Sequence, residues 1–160
     1  MSHKEQTACF TGHRNIKQSD IKPLEKKLEK LLEKLIGEGI VYFGCGGAVG
    51  FDFLSGFTVL RLRERYNHIK LIMVLPCRNQ DAKWTAEQKR DYKRLLDAAD
   101  KAVCLSEAYY DGCMLARNSH LIQHSAVCVA YLTNTVRSGT AQTVRLAREN
   151  NLTVYNLADL

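Results

Sequence analysis

Long hydrophobic runs are missing from the 160-residue sequence. A membrane-spanning helix needs about 20 consecutive apolar residues, and no stretch of this chain approaches that length. The first residues, Met1 to Gln6, are polar, so the sequence does not open with the apolar core of a secretory signal. We therefore expect a cytoplasmic protein with no membrane partner.

Paired metal-binding or disulfide motifs are also missing. The six cysteines show no Cys-x-x-Cys spacing, and several lie in short apolar segments, which is typical of reduced thiols. His120 and His124 are four residues apart, a spacing that can bind zinc, but the chain has no His-Glu-x-x-His motif. We predict a surface histidine pair, no metal site and no cofactor.

Hydrophobic residues make up 46% of the chain, which is enough for one globular domain over residues 1–160. The formal net charge is +6, which permits an anionic ligand such as a nucleotide or a nucleic acid. The net charge alone does not distinguish between these two classes of ligand. Much of it alternates with glutamate on the first predicted helix, as on a solvated helix face.

Strand-like and helix-like segments alternate along the whole chain. Short apolar runs predict strands at 7–10, 40–43, 69–75, 102–105, 126–132 and 153–156. Helical patterns lie between them, at 19–36, 50–66, 84–99, 113–124 and 140–150. This alternation is typical of an α/β protein with a doubly wound, mostly parallel sheet of about six strands. The leucine stripe of the first helix should face that sheet.

The carboxyl ends of parallel strands meet at one edge of the sheet, because the crossover connections are right-handed. Ligands of such sheets bind at that edge, at the switch point beside the first strand. The loops expected there are 11–14, 44–52, 77–83, 106–112 and 133–140. The polar and glycine-rich residues of the chain are concentrated in the same loops.

The glycine-rich loop 44–52 follows the second predicted strand and precedes a helix. Glycines allow close approach of the backbone, and a helix start attracts anions, so Gly44, Gly46 and Gly47 could bind phosphate. The spacing matches neither the dinucleotide fingerprint nor a P-loop. A tight packing turn between strand and helix is the alternative interpretation.

Three other edge loops carry residues suited to an anion. Ser138, Gly139 and Thr140 precede the last helix and could bind phosphate or serve as an ordinary helix cap. Arg117 lies near a helix start, where a cation is unfavourable, so an anionic ligand or a pair with Asp111 would explain it. The remaining candidates are Thr11, Gly12 and Arg14 after the first strand, Asp52 for a ribose or the helix dipole, and Asn118 beside the arginine.

Taken in order, these motifs resemble the YpsA-like branch of the SLOG superfamily. The matching segments are Thr11-Gly12-His13-Arg14, Gly44 to Asp52, Pro76 with Gln80 and Trp84, Arg117-Asn118, and Ser138 to Val144. The resemblance covers nearly the whole chain. It implies a three-layer Rossmann-like fold that binds or senses a nucleotide or nucleotide-derived ligand, with no settled activity. A homo-oligomer is compatible with it.

Two distant relatives of this branch suggest alternative functions. The LOG or lysine-decarboxylase-like phosphoribohydrolases cleave a base from a nucleoside monophosphate with an arginine and a glutamate. Arg117 matches that arginine and would be the catalytic residue of an enzyme, but Thr143 stands where the glutamate would be. An N-glycosidase would therefore need another carboxylate. The second relative, DprA, binds single-stranded DNA, but the edge loops here lack aromatic residues interleaved with Lys and Arg.

Overall fold

The computed structural model describes residues 3–133 and 138–160, so the predicted edge loop 133–140, with Arg137, lies partly outside the described residues. The strands form one six-stranded sheet in the order β4-β3-β2-β1-β5-β6, and all five pairings are parallel. The strands are β1 (Thr7–Gly12), β2 (Tyr42–Cys45), β3 (Lys70–Leu75), β4 (Lys101–Cys104), β5 (Val127–Tyr131) and β6 (Thr153–Asn156). The fold prediction is confirmed.

Five helices alternate with the strands in the described chain. They are α1 (Gln18–Gly37), α2 (Phe51–Arg63), α3 (Ala86–Ala98), α4 (Cys113–Gln123) and α5 (Gly139–Glu149), with short 3-10 turns at Lys4–Gln6 and Leu157–Asp159. The predicted start of the third helix at Trp84 was wrong. Thr85 forms a capping box with Gln88, which ends the preceding loop and starts α3 at Ala86.

The helices lie on both faces of the sheet and bury two apolar cores. On one face, the leucine stripe of α1 packs with α2 and α3 against the strands, and Leu28, Phe43 and Phe51 are completely buried there. The stripe therefore faces the sheet, as predicted. On the other face, α4 and α5 cover a smaller core that includes Ile122 and Cys128.

The switch point lies between β1 and β5. The chain moves outward from β1 through β2 and β3 to β4, and then returns to add β5 on the other side of β1. The carboxyl ends of these two strands are in register, because Gly12 pairs with Tyr131. The loops after β1 and β2 and the carboxyl end of β5 therefore meet at one place, where such sheets bind ligands.

Neither a membrane span nor a metal cluster is found within residues 3–133 and 138–160. None of the helices there is long and apolar enough to span a membrane. In the same part of the chain, no three His, Cys, Asp or Glu side chains come together in a way that could hold a metal ion. His120 and His124 stack on each other, with ring centroids 4.2 Å apart.

Candidate functional site

A cleft of about 270 Å³ opens at the switch point. It lies between the end of β1, the first turn of α2, the first half of α4 and the start of α5. Most residues predicted from the sequence line it, namely Thr11, Gly12, Arg14, Asp52, Arg117, Asn118, Ser138, Gly139 and Thr140. The sheet edge thus brings together loops that are more than 100 residues apart in the chain.

Arg117 is the buried cation of this cleft, with only 5% of its surface exposed. Its Nη1 donates to the carbonyl oxygen of Gly46 at 2.7 Å, and its Nε donates to Asn118 Oδ1 at 2.7 Å. Its Nη2 also donates to the Met114 sulfur at 3.8 Å, and all three partners are neutral. Among the ion pairs of the described residues none involves Arg117, so Asp111 does not neutralise it. A buried charge of this kind is strongly stabilised by an anion.

The glycine-rich loop packs against the guanidinium of Arg117. A Cβ atom at Gly46 would lie 2.5 Å from Arg117 Nη1, so the guanidinium packs directly on the glycine backbone. Gly44 faces Leu121 on the α4 side of the sheet, and Gly47, with a φ of 71°, faces Met73. None of the three predicted glycines lines the cleft. Their binding of phosphate stays a prediction, and packing accounts for each of them.

Asp52 brings a carboxyl group into the same cleft as Arg117. It is 7% exposed in the first turn of α2, and its Oδ2 accepts a hydrogen bond from the Ala48 amide at 3.1 Å. Burial raises the pKa of this carboxyl, while Arg117, the Ala48 hydrogen bond and Arg14 each act to lower it. No described residue donates a hydrogen bond to Oδ1, which leaves that oxygen available to a ligand.

The loop after β1 is held against the start of α2. The Phe51 amide donates to the His13 carbonyl at 3.1 Å, and a Cβ atom at Gly50 would collide with the Arg14 carbonyl. Gly50 also has a φ of 88°, which favours glycine. On the other side, His13 Nε2 accepts a hydrogen bond from the Thr133 amide at 3.1 Å. The exposed Arg14 is thereby fixed at the cleft.

The start of α5 forms another side of the cleft. Ser138 is the N-cap, and its Oγ accepts a hydrogen bond from the Ala141 amide at 3.1 Å. The amides of Gly139 and Thr140 follow the cap in the first turn, where no carbonyl within the helix can accept their hydrogen. Those amides and the partial positive charge of the helix suit an anion.

Thr143 has a positioning role. Its hydroxyl donates to the Gly139 carbonyl at 2.9 Å and accepts from Asn118 Nδ2 at 3.0 Å. Asn118 in turn accepts from Arg117 through Oδ1. The residue at the position of the LOG-type glutamate therefore holds the guanidinium through Asn118.

Sequence reasoning missed several residues of the site. The cleft is also lined by Phe10, His13, Ala48 and Met114. His13 lies between the predicted residues Gly12 and Arg14, and Met114 lies one helical turn before Arg117, so their sequence positions were the signal available for them. Trp84 packs edge-to-face on Phe53 and Tyr92 and does not line the cleft.

Two related proteins show how far the sequence similarity extends. It is 31% identical over 150 residues to the uncharacterized SPbeta prophage-derived protein YoqJ of Bacillus subtilis strain 168, which covers 86% of this chain and 87% of YoqJ. It is 28% identical over 104 residues to a UPF0398 protein of Halalkalibacterium halodurans, across 64% of this chain and 55% of that protein. The chain thus matches about half the length of the UPF0398 protein.

Two solved structures share the fold. The DNA processing protein A of Helicobacter pylori, described with a single-stranded DNA binding mode, superposes with a TM-score of 0.68 at 21% identity, covering 94% of this chain and 64% of that chain. The protein TM1055 superposes with a TM-score of 0.59 at 17% identity, over 93% and 72% of the two chains. At these identities the likeness concerns the fold alone.

The family assignment rests on the sequence itself. The family model YpsA, described as the YspA SLOG family, matches residues 8–157. That range includes all of the six-stranded sheet except Thr7, and every described residue that lines the cleft. The chain belongs to the YpsA SLOG family.

Proposed function

We propose that the cleft binds a nucleotide or a nucleotide-derived ligand through a phosphate group. The observation that carries this proposal is the buried Arg117, which has three neutral hydrogen-bond acceptors and no ion pair within the described chain. Its orientation is already set by Gly46 and Asn118. Binding therefore costs little ordering of the side chain, and a phosphate oxygen gains a charge-assisted hydrogen bond.

The start of α5 supplies the second half of the phosphate site. Gly139 and Thr140 present amides and a hydroxyl to the cleft that Arg117 enters from α4. Arg14 adds a second cation from the loop after β1. Two cations and a helix N-terminus around one cavity favour a group with multiple negative charges, such as phosphate.

Asp52 supports the nucleoside part of the ligand. Its Oδ1 can accept a hydrogen bond from a sugar hydroxyl or from the amino group of a base, while Oδ2 stays on the Ala48 amide. A ligand with a phosphate at one end and hydrogen-bond donors at the other matches these groups. Membership of the SLOG family and the DNA-binding title of the Helicobacter pylori neighbour are consistent with a nucleotide-related ligand.

The proposal includes a cytoplasmic location for the protein. All six cysteines are free thiols, and five of them are at most 1% exposed, namely Cys9, Cys45, Cys77, Cys113 and Cys128. Reduced thiols are usual in the cytoplasm, where soluble nucleotides are available.

The test is calorimetric titration of the protein with nucleoside mono-, di- and cyclic phosphates. Arg117→Ala should weaken binding by at least about tenfold, because a hydrogen bond to a charged group is worth about 1.5–3 kcal/mol. Arg90→Ala, which removes an exposed arginine of α3, is the matched control and should bind as wild type. The proposal fails if no nucleotide binds, or if both variants bind equally well.

N-glycoside hydrolysis is the second candidate, and the position of Asp52 favours it. The cleft holds a buried carboxyl beside Arg117, although Thr143 replaces the glutamate of the LOG-type enzymes. In the reaction, water adds to the anomeric carbon as the carbon–nitrogen bond breaks, and the bonding electron pair stays with the base. Protonated Asp52 would donate its proton to the departing base and regain one from the water.

This second candidate has its own measurement. Incubation with nucleoside monophosphates, followed by chromatography, should release free base from wild type but not from Asp52→Asn. The Asn variant should still bind the phosphate end of the nucleotide. Its affinity should be somewhat lower, because its amide oxygen accepts from the Ala48 amide and its Nδ2 then replaces the acceptor Oδ1. Binding without base release in the wild type would exclude hydrolysis of these substrates and leave the binding proposal intact.

A further inference from the structure

A second concave surface lies on the α4 face of the sheet, separate from the Arg117 cleft. It is a groove of about 340 Å³ beside α4, over β2, β3 and β4. Its floor is formed by Ile72, Val74 and Val103. Ile72 pairs with Lys101 and Val74 with Val103 in the parallel register, so these side chains share one face of the sheet.

The groove exists because α4 covers only part of this face. The helix packs on β1 and β3, and its Leu121 side chain occupies the space above Gly44. Ile72 and Val103 remain half-buried. Within the described chain, the apolar floor is therefore open to solvent on the side of β4. A cavity of this volume and an apolar lining is typical of a small-molecule site.

The polar residues of the groove are gathered at one end. His3, Lys4, Lys101 and His124 line it at the edge where the strands begin, and its described lining contains no carboxylate. His120 lies beside them, and its pKa is lowered by burial and then by His124. Lys4 and Lys101 place cationic side chains at this end.

One buried polar atom in the lining has no partner. Ser125 is 1% exposed, and its Oγ makes no hydrogen bond within the described residues. Such atoms are rare in folded proteins, because an unsatisfied buried hydroxyl is unfavourable. Ser125 lies at the same end of the groove as the lysines, directly after α4. It is a donor that an acceptor group of a ligand can use.

We propose that this groove binds a single-chain amphipathic carboxylate, with its hydrocarbon chain along Ile72, Val74 and Val103 and its carboxylate at the Lys101 end. The apolar floor and the cationic end match the two parts of such a molecule. The proposal is independent of nucleotide binding, because the two sites share no lining residue.

Decanoate is the probe, added to the full chain and followed by calorimetry and by amide chemical shifts. Val103→Glu puts a like charge into the apolar floor and should weaken binding at least about tenfold, the effect of roughly 1.4 kcal/mol. Ala102→Glu is the matched control, because the neighbouring residue faces the other side of β4 and is exposed. Arg117→Ala should bind decanoate as wild type does.

Lys101→Glu provides a second variant on an exposed side chain, in case Val103→Glu does not fold. It should also weaken decanoate binding, whereas decanol, which lacks the charge, should bind more weakly than decanoate and be insensitive to this change. The proposal is overturned if decanoate binding is absent or does not saturate, or if Val103→Glu and Ala102→Glu behave alike. It is also overturned if the groove proves to be the interface of a dimer that decanoate does not dissociate.

Discussion

Replacing Asp52 with asparagine should stabilise the protein at neutral pH. Burial raises the pKa of this carboxyl above its usual value of 3.8, so the folded state holds the proton more tightly than the unfolded state does. The ionised form therefore costs stability at every pH above the folded-state pKa. Asparagine resembles the protonated carboxyl and keeps an acceptor for the Ala48 amide, but it carries no charge.

The magnitude follows from linkage between protonation and folding. Each unit by which the pKa is raised corresponds to about 1.4 kcal/mol at neutral pH. In a domain of this size, 1 kcal/mol raises the melting temperature by about 2–4 °C. The gain of the Asp52→Asn variant should shrink as the pH falls through the folded-state pKa. It should disappear below 3.8, where wild type is protonated in both states.

Thermal and urea unfolding from pH 3.5 to 8 would measure this effect. Asp97→Asn, which changes an exposed carboxylate on α3, is the control and should alter stability by less than about 0.5 kcal/mol at any pH. A pH-independent difference between wild type and Asp52→Asn would contradict the reasoning. So would a loss of stability at neutral pH, since the attraction of Arg117 would then outweigh the cost of burial.

Three further substitutions test the supports of the cleft. Gly46→Ala puts a methyl group 2.5 Å from Arg117 Nη1, so the guanidinium must move, and nucleotide affinity measured by calorimetry should fall about tenfold or more. Gly50→Ala should lower the unfolding free energy by more than about 2 kcal/mol, because its φ is 88° and the Cβ meets the Arg14 carbonyl. Gly37→Ala, with open space around its Cβ at the end of α1, is its control and should stabilise by about 0.4–1 kcal/mol in urea unfolding. Thr143→Val removes both hydrogen bonds of the hydroxyl. It should cost about 1–3 kcal/mol in the same assay and weaken nucleotide binding, and unchanged values for both would contradict the positioning role.

The architecture was predictable because the pattern was strong. Apolar runs such as 69–75 and periodic leucines such as those of α1 report burial directly, and their alternation leaves few topologies. Helix ends were less predictable. The start of α3 depends on a capping box at Thr85 and Gln88, a local hydrogen-bond choice that hydrophobic patterning does not report.

The composition of the cleft was predictable from topology, since Arg14, Arg117 and Ser138 all follow strands or begin helices at one edge. The role of each residue within the cleft was not predictable from the sequence. Gly46 was predicted to contact phosphate, yet it accepts a hydrogen bond from Arg117 and gives the guanidinium room to pack. That arrangement joins residues 71 positions apart, and a single sequence carries no signal for such a pairing.

The relation between Asp52 and Arg117 is the other property that only the folded chain reveals. Each group is buried in the same cleft, and its hydrogen-bond partners within the described chain are neutral: the Ala48 amide for the carboxyl, and Gly46, Asn118 and Met114 for the guanidinium. A direct ion pair would have neutralised both. Held apart, the two groups can meet opposite parts of one ligand, the arginine a phosphate and the carboxyl a hydrogen-bond donor. The stability that Asp52 costs at neutral pH is then the expected counterpart of a functional site.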